Sequence, residues 1–354
     1  MIYRDIIRIE QFADKCGGKL TPKQPGSKTM RSNQPRARVQ TFCTARSIEP
    51  VRLDQLLAQL LPEYSRSQLQ QWIKDGCVAV SDKHLRPKDR VSGGETIVIA
   101  VPEAPEPDWV AQTMPLDIVY EDEHILVLNK PAGLVVHPGA GNPDRTLLNA
   151  LLSHAQELRA LPRAGIVHRL DKDTSGLMVI AKSERSRLNL IEQLATRQLH
   201  REYVTVVNGV MISGGTVDAP IGRHPKDRKR MAVVERGKPA VSHYRIIERF
   251  RAHTLVSVRL ETGRTHQIRV HMAHIQFPVV GDAVYGGRLR IPPDSSESMI
   301  QVLRNFRRQA LHARKLGLIH PVSGESVQWE CTPPDDMKRL IDILRKDAAQ
   351  HQTG

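Results

Sequence analysis

The ten residues His168-Arg169-Leu170-Asp171-Lys172-Asp173-Thr174-Ser175-Gly176-Leu177 concentrate more chemistry than any other stretch of the chain. The apolar run over residues 166–171 predicts a strand that delivers an arginine and a carboxylate into a loop of small polar residues, and residues 177–181 predict a buried strand that leaves it. A carboxylate in a partly enclosed site is costly unless paired, so Arg169 or another arginine must serve Asp171. A nearby guanidinium keeps such a group ionised at neutral pH, which suits a nucleophile better than a general acid. The spacing suits equally well a structural loop carboxylate, tying down backbone amides together with Asp173, Thr174 and Ser175.

Three further segments carry candidates. Over residues 260–271 a strand ends, Gly263 turns, and a helix begins with Thr265 as the predicted N-cap. Arg264 and the amides around it favour phosphate, and Arg269 can reach inward from the helix; the alternative is a solvated basic face. Tyr203, in Arg201-Glu202-Tyr203, opens an apolar strand, where a tyrosine can stack on a base, move a proton or simply fill the core. Residues 223–230 hold five Lys or Arg, Arg228 among them, on a predicted hairpin tip suited to phosphate contact or to solvation alone. His271 and His274 have a metal-ligand spacing but no carboxylate neighbour, so no metal is assigned.

These segments need a scaffold. Residues 51–101 predict a small helix–helix–hairpin domain. Leu53, Leu56, Leu57, Leu60 and Leu61 share one helix face and Pro62 ends it. Ser65 with Gln68 predicts the cap of a second helix, whose apolar face is Leu69, Trp72 and Ile73, with Gly76 closing it. Strands follow at 78–80 and 96–101. This domain's polar positions include Arg52, Arg66, Lys74 and Lys83, and a domain of this size could bind protein instead of nucleic acid. Residues 102–115 are proline-rich and predict a stiff linker. Residues 116–347 predict many strands with few helices, among them 183–197 with Leu188, Ile191 and Leu194 inward, and a closing helix over 334–347; residues 348–354 form a tail. Strands and helices do not alternate one for one, so the expected class is α+β, with a mixed, largely antiparallel sheet. Residues 1–50, with ten Lys/Arg against four acids, predict a disordered basic head. Met30 stands as an alternative start, and a basic arm that clamps RNA is the head's functional alternative.

Composition narrows the partners. The chain has 354 residues, Lys+Arg 52 against Asp+Glu 38, and a net charge of +14. That favours a polyanion, nucleic acid first. Cys16, Cys43, Cys77 and Cys331 show no paired spacing, which argues against a disulfide framework or a zinc ribbon and fits a reducing cytosol. No apolar run reaches the ~18 residues of a membrane span.

Together the quoted segments resemble the RluA-type pseudouridine synthase family. Residues 168–177 are similar to its H-R-L-D-x-x-T-S-G-L signature, Arg201-Glu202-Tyr203 to its tyrosine motif, and residues 263–271 to G-R-T-H-Q-I-R-V-H. Asn129-Lys130-Pro131, Gly281-Asp282 and Tyr285-Gly286 resemble further landmarks. Residues 51–101 resemble the S-four-type RNA-binding domain, although Ser81-Asp82-Lys83 replaces the usual Asn-Gly turn. Likeness is greatest to the RluD-like branch, which modifies large-subunit ribosomal RNA. The resemblance implies a pseudouridine synthase fold and roles by position. Asp171 matches the catalytic aspartate, Tyr203 the tyrosine that packs on the target base and is a candidate for the proton shift at C5, and Arg269 the arginine paired with the aspartate. Arg169 matches the arginine that holds the flipped-out state, with His168 and Arg264 as further RNA contacts. It implies no cofactor, because the base stays in the pocket and no redox change occurs. The expected setting is a cytoplasmic monomer acting on ribosomal RNA, free or in a pre-ribosomal particle.

Overall fold

The computed structural model describes residues 6–9, 38–44, 49–61, 64, 66–101, 109–139, 141–227 and 230–351, with the backbone alone at 6–9, 38 and 67. The chain divides into two compact units, Met1–Trp109 and Val110–Gly354.

The first unit contains β1 (Ile6–Ile9), β2 (Arg38–Thr44), β3 (Val51–Arg52), α1 (Leu53–Leu60), α2 (Arg66–Lys74), β4 (Val78–Val80), β5 (Arg90–Val91) and β6 (Thr96–Val101). The sheet runs β1-β2-β6-β4, and β3 pairs with β5. The expected disordered head therefore does not extend over Ile6–Ile9 or Arg38–Thr44. β2 pairs along the whole of β6, from Arg38↔Val101 to Cys43↔Thr96, and so covers an edge that the helix–helix–hairpin reading left open. Leu53, Leu56, Leu57 and Leu61 pack with Leu69, Trp72 and Ile73 onto the inward residues of β6, Ile97, Ile99 and Val101. Each such burial stabilises by about 1.5–3 kcal/mol. The turn after β4 is tight: Ser81 and Asp82 both have positive φ, at 46° and 64°, and Val80 and Lys83 exchange backbone hydrogen bonds of 2.8 and 2.9 Å. That is the twist a two-residue hairpin requires, achieved without glycine.

The second unit contains β7 (Ile118–Glu121), β8 (Ile125–Lys130), α3 (Leu147–His154), β9 (Ser175–Ala181), α4 (Glu184–Ala195), β10 (His200–Asn208), β11 (Gly215–Asp218), β12 (Ile221–Arg223), β13 (Met231–Val233), β14 (Val241–Arg249), β15 (His253–Leu260), α5 (Gln267–His274), α6 (Glu297–Asn305), β16 (Leu311–Ile319), β17 (Ser326–Glu330) and α7 (Asp335–His351). Its sheet runs β11-β14-β15-β10-β16-β9-β8-β7, with β17 beside β16. Every pair is antiparallel except β16 with β9. This is the expected α+β class with a mixed, largely antiparallel sheet. At the parallel contact Gly176 has φ +117°, and a Cβ there would lie 2.3 Å from the Ala313 carbonyl, so only glycine lets the two strands meet.

Several elements differ from expectation. Residues 166–171 are not a strand; only Ile166 forms a bridge, to Ile180. β8 covers one side of β9 and β16 meets the other only at Ser175 and Gly176, so the single bridge from Ile166 is all that residues 166–171 add to that edge. α4 turns a partly different face inward: Ser186, Leu190 and Gln193 are buried and Leu194 packs half-buried on the core as expected, while Leu188 is 55% and Ile191 40% exposed. Gln193 outcompetes an apolar residue there because its side chain bonds both the carbonyl and the amide of Ile319. Residues 110–113 are tied to α3, through Asn149 to the Val110 carbonyl and through the Gln112 amide to Asn149, rather than serving as linker. The readings at Met30, Pro62, Ser65, Pro102 and Arg228 lie outside the described residues.

Candidate active site

The loop before β9 is pinned from behind. Lys130, fully buried at the end of β8, donates to the carbonyls of Pro131, Leu134 and Lys172 at 2.8–2.9 Å. The Gly133 amide also donates to Lys172 O, at 2.9 Å. Burial pushes the Lys130 ammonium down to about 7, although Asp173 and Asp171 oppose this. The Asp171 carbonyl accepts from the Thr174 amide, and Gln309 holds the Thr174 hydroxyl. Asp171 is thereby fixed at the mouth of the loop, its side chain 18% exposed.

Arg269 comes from the first turn of α5. Its Nε and Nη2 donate to Asp282 at 2.6 and 2.9 Å, and its Nη1 donates to Asp171 Oδ2 at 3.0 Å. Although burial lowers its pKa, the Asp282 and Asp171 carboxylates outweigh that and hold the guanidinium well above its ordinary range. Asp282 has no exposed side-chain surface and also accepts the amides of Val284 and Tyr285. Burial raises its pKa, but Arg269 and those amides hold it low.

α5 is capped by His266 in a left-handed conformation, φ 57°, rather than by Thr265. The His266 ring explains the shift: its Nδ1 lies 2.9 Å from Tyr285 Oη, and its Nε2 lies 3.9 Å from Asp171 Oδ1. Tyr285 Oη accepts the Met231 amide at 2.8 Å, so its own proton is free to donate to His266 Nδ1. That leaves the Nε2 proton facing Asp171. Burial lowers the His266 pKa against the pull of Asp171.

Tyr203 is buried on β10 and lines the same cavity of about 340 Å³, as do Arg169, His168, Arg201, Arg264 and Asp171. Burial pushes the Tyr203 phenol up; Arg201 opposes this and Asp171 adds to it. His168 Nε2 accepts the Val179 amide, and burial holds this ring down to about 3, so it stands neutral with its proton on Nδ1. Arg169 is exposed at the rim. Arg264 donates from Nε to the Pro239 carbonyl. The candidates Asp171, Tyr203, Arg269, Arg169, His168 and Arg264 thus converge on one cavity. His271 does not join them: it is buried, with its two nitrogens engaged by Ser242 and Ala219.

In the first unit Arg52 and Arg66 share a partner. Asp54, fully buried, accepts from both at 3.0 Å and from Gln70 at 2.7 Å. Lys74 is exposed near the end of α2.

Residues whose roles were not legible in the sequence are Asp282, Lys130, His266, Tyr285 and Asp54. An arginine inside an apolar helix face demands a buried acid, but nothing local says that Asp282 is that acid.

The family described as RNA pseudouridylate synthase matches residues 124–274, and the S4 domain matches residues 51–97. The chain is 58% identical over 296 residues to the ribosomal large subunit pseudouridine synthase D of Pseudomonas aeruginosa, covering 84% of this chain and 92% of that protein. It is 56% identical over 302 residues to the protein of that name from Escherichia coli K12, covering 85% and 93%. Among solved structures, human RNA pseudouridylate synthase domain containing 4 superposes with a TM-score of 0.51 at 30% identity, over 64% of this chain and 92% of that one.

Proposed function

This chain belongs to the RNA pseudouridylate synthase family, and from that premise we propose that it isomerises uridines of large-subunit ribosomal RNA, with Asp171 as the essential carboxylate. The observation that carries the reading is the Asp282–Arg269–Asp171 array at the floor of a cationic cavity that also holds Tyr203.

The chemistry is an internal exchange. The N1–C1′ bond breaks and uracil leaves with the electron pair. The base turns, C5 bonds to C1′, the C5 proton is lost and N1 gains one. Asp171 serves the sugar, either by attack on C1′ or by taking a proton from C2′. Arg269 holds one carboxylate oxygen, Oδ2, and thereby aims Oδ1. Tyr203 supplies a flat apolar wall for the base. Its raised pKa favours entry as the phenol, and the adjacent Arg201 favours the phenolate that a C5 proton acceptor requires. Flipping the uridine costs a few kcal/mol, which phosphate contacts from the first unit and Arg169 offset. Arg52, Arg66 and Lys74 are the proposed contacts of the first unit, with Arg52 and Arg66 oriented by Asp54. No helix among the described residues is long and apolar enough to cross a membrane. A cytoplasmic monomer acting on rRNA or a pre-ribosomal particle completes the reading.

The test is carbodiimide-based pseudouridine mapping of RNA from cells with the gene, without it, and with Asp171→Asn. We expect large-subunit rRNA signals to vanish in the last two, while purified Asp171→Asn still binds the rRNA fragment within a fewfold of wild type. Turnover by that variant removes Asp171 from the mechanism. Loss of signal in tRNA alone keeps the reaction and discards the substrate. A primary isotope effect with deuterium at C2′ selects proton removal over attack.

A further inference from the structure

Among the described residues nine buried side-chain polar atoms have no hydrogen-bond partner, and three of them face one cavity: Arg201 Nε, His168 Nδ1 and His137 Nε2. Arg201 is the costly one, because a guanidinium cannot discard its charge. It is 8% exposed. No hydrogen bond or ion pair from any described residue reaches it, and the carboxylate in its cavity, Asp171, is engaged by Arg269. An unpaired buried charge is strongly unfavourable unless something else neutralises it.

Among the described residues none neutralises it, and the cavity leaves room for a ligand. Arg163, Arg169 and Arg264 line the same cavity, so the local potential is positive. Gly263 leaves the guanidinium its space: a Cβ there would lie 2.8 Å from Arg201 Nη1. His168, neutral with Nδ1 protonated, adds a second donor without a partner. Arg201 and Tyr203 are two apart on β10 and face the cavity together, so whatever meets Arg201 lies beside the base that meets Tyr203.

We propose that the Arg201 guanidinium is an anion seat, and that its occupant is a phosphodiester adjoining the target uridine. This rests on RNA as the substrate of the cavity. A phosphodiester carries its charge throughout the reaction, whereas uracil is neutral until N1–C1′ breaks and would leave Arg201 uncompensated in the bound ground state. Its two non-bridging oxygens match the guanidinium fork. The ribose whose C1′ reaches Asp171 brings its flanking phosphates with it.

The full chain is tested in two arms. In the first, thermal melting is followed with and without inorganic phosphate at constant ionic strength. Wild type gains melting temperature with phosphate. Arg201→Met melts at or above wild type without phosphate, since it loses an unpaired buried charge, and gains nothing from it. A variant that melts lower and still responds to phosphate overturns the seat. In the second arm, the mapped rRNA fragment carries one neutral methylphosphonate at a time, 5′ or 3′ of the target. For one linkage wild type loses on the order of 10- to 100-fold in kcat/KM. Arg201→Met shows that loss with unmodified RNA and no further loss with the modified linkage, and Arg201→Lys falls between. Equal losses for wild type and Arg201→Met, or a fall in kcat indifferent to both linkages, overturn the phosphate assignment. Wild type that responds to phosphate but does not convert the unmodified fragment discards the rRNA reading and leaves the seat standing.

Discussion

Arg269 lies between two carboxylates that are held very differently. Asp282 is fully buried and accepts four hydrogen bonds, two from Arg269 and two from backbone amides. Asp171 is partly exposed and, among the described residues, its side chain accepts one, from Arg269. In the proposed mechanism Asp171 gives up its charge during turnover, as an ester or by taking a proton, and Asp282 then still neutralises the buried guanidinium. Asp282→Asn removes that reserve. We expect it to lower kcat by on the order of 100-fold, with KM nearly unchanged, and to destabilise the second unit by about 3–5 kcal/mol, as half-broken buried pairs do. Single-turnover kinetics and a urea titration check both, and unchanged kcat would remove Asp282 from the charge balance. That Asp171, Tyr203 and Arg269 belong to one cavity was legible in the sequence, because each sits in a contiguous motif. Lys130 stood in a motif too, but its function was not legible. Its partners are three backbone carbonyls, one of them on Lys172, and no residue type marks a carbonyl as an acceptor.

Turn geometry offers a test among the elements. Asp82 adopts φ 64° in the hairpin after β4, is exposed, and makes no hydrogen bond through its side chain to any described residue. Asp82→Gly therefore loses no contact and relieves a left-handed strain of about 1 kcal/mol. A melting temperature of the first unit raised by several degrees is expected; no rise means that the aspartate stabilises its own conformation. The departure from Asn-Gly was visible in the sequence, but the retained turn was not, since it follows from the register of β4 on β6. α4 shows the opposite limit. Its existence was legible from spacing, and Ser183 caps it. Its buried face was not, because Gln193 is inward only through the distant backbone of Ile319. Residues 166–171 predicted a strand, but only Ile166 bridges the edge of β9, at Ile180. Period and capping thus report an element's type, whereas its orientation depends on partners far along the chain.

The two units carry different titrating burdens, and acid separates them. In the second, burial holds His137, His253 and His312 down to about 4 and His168 to about 3, against an ordinary 6.5. In the first, burial raises Asp54, but Arg52, Gln70 and Arg66 outweigh it and hold it at about 2. The signs are opposite in chemistry and alike in direction. Below pH 6.5 the unfolded second unit takes up protons that the folded one refuses, so its stability, complete above 6.5, falls until the folded values near 4 are passed. The first unit keeps the Asp54 contribution until pH drops below 3.8, and loses it between there and about 2. Each histidine costs ~1.4 kcal/mol per pH unit across its window. His253 and His312, both fully buried, therefore cost about 3 kcal/mol per pH unit together. Down to about pH 4 the pair removes about 7 kcal/mol, so a second unit at the lower end of the usual range of about 5–15 kcal/mol should unfold between roughly pH 5 and 4. Hydrogen exchange read unit by unit, corrected for the intrinsic pH dependence of exchange, should show protection collapsing in β8, β9 and β10 at a pH where α1, α2 and β6 remain protected. Simultaneous collapse, or a second unit intact at pH 4, would mean that these histidines find compensation when protonated.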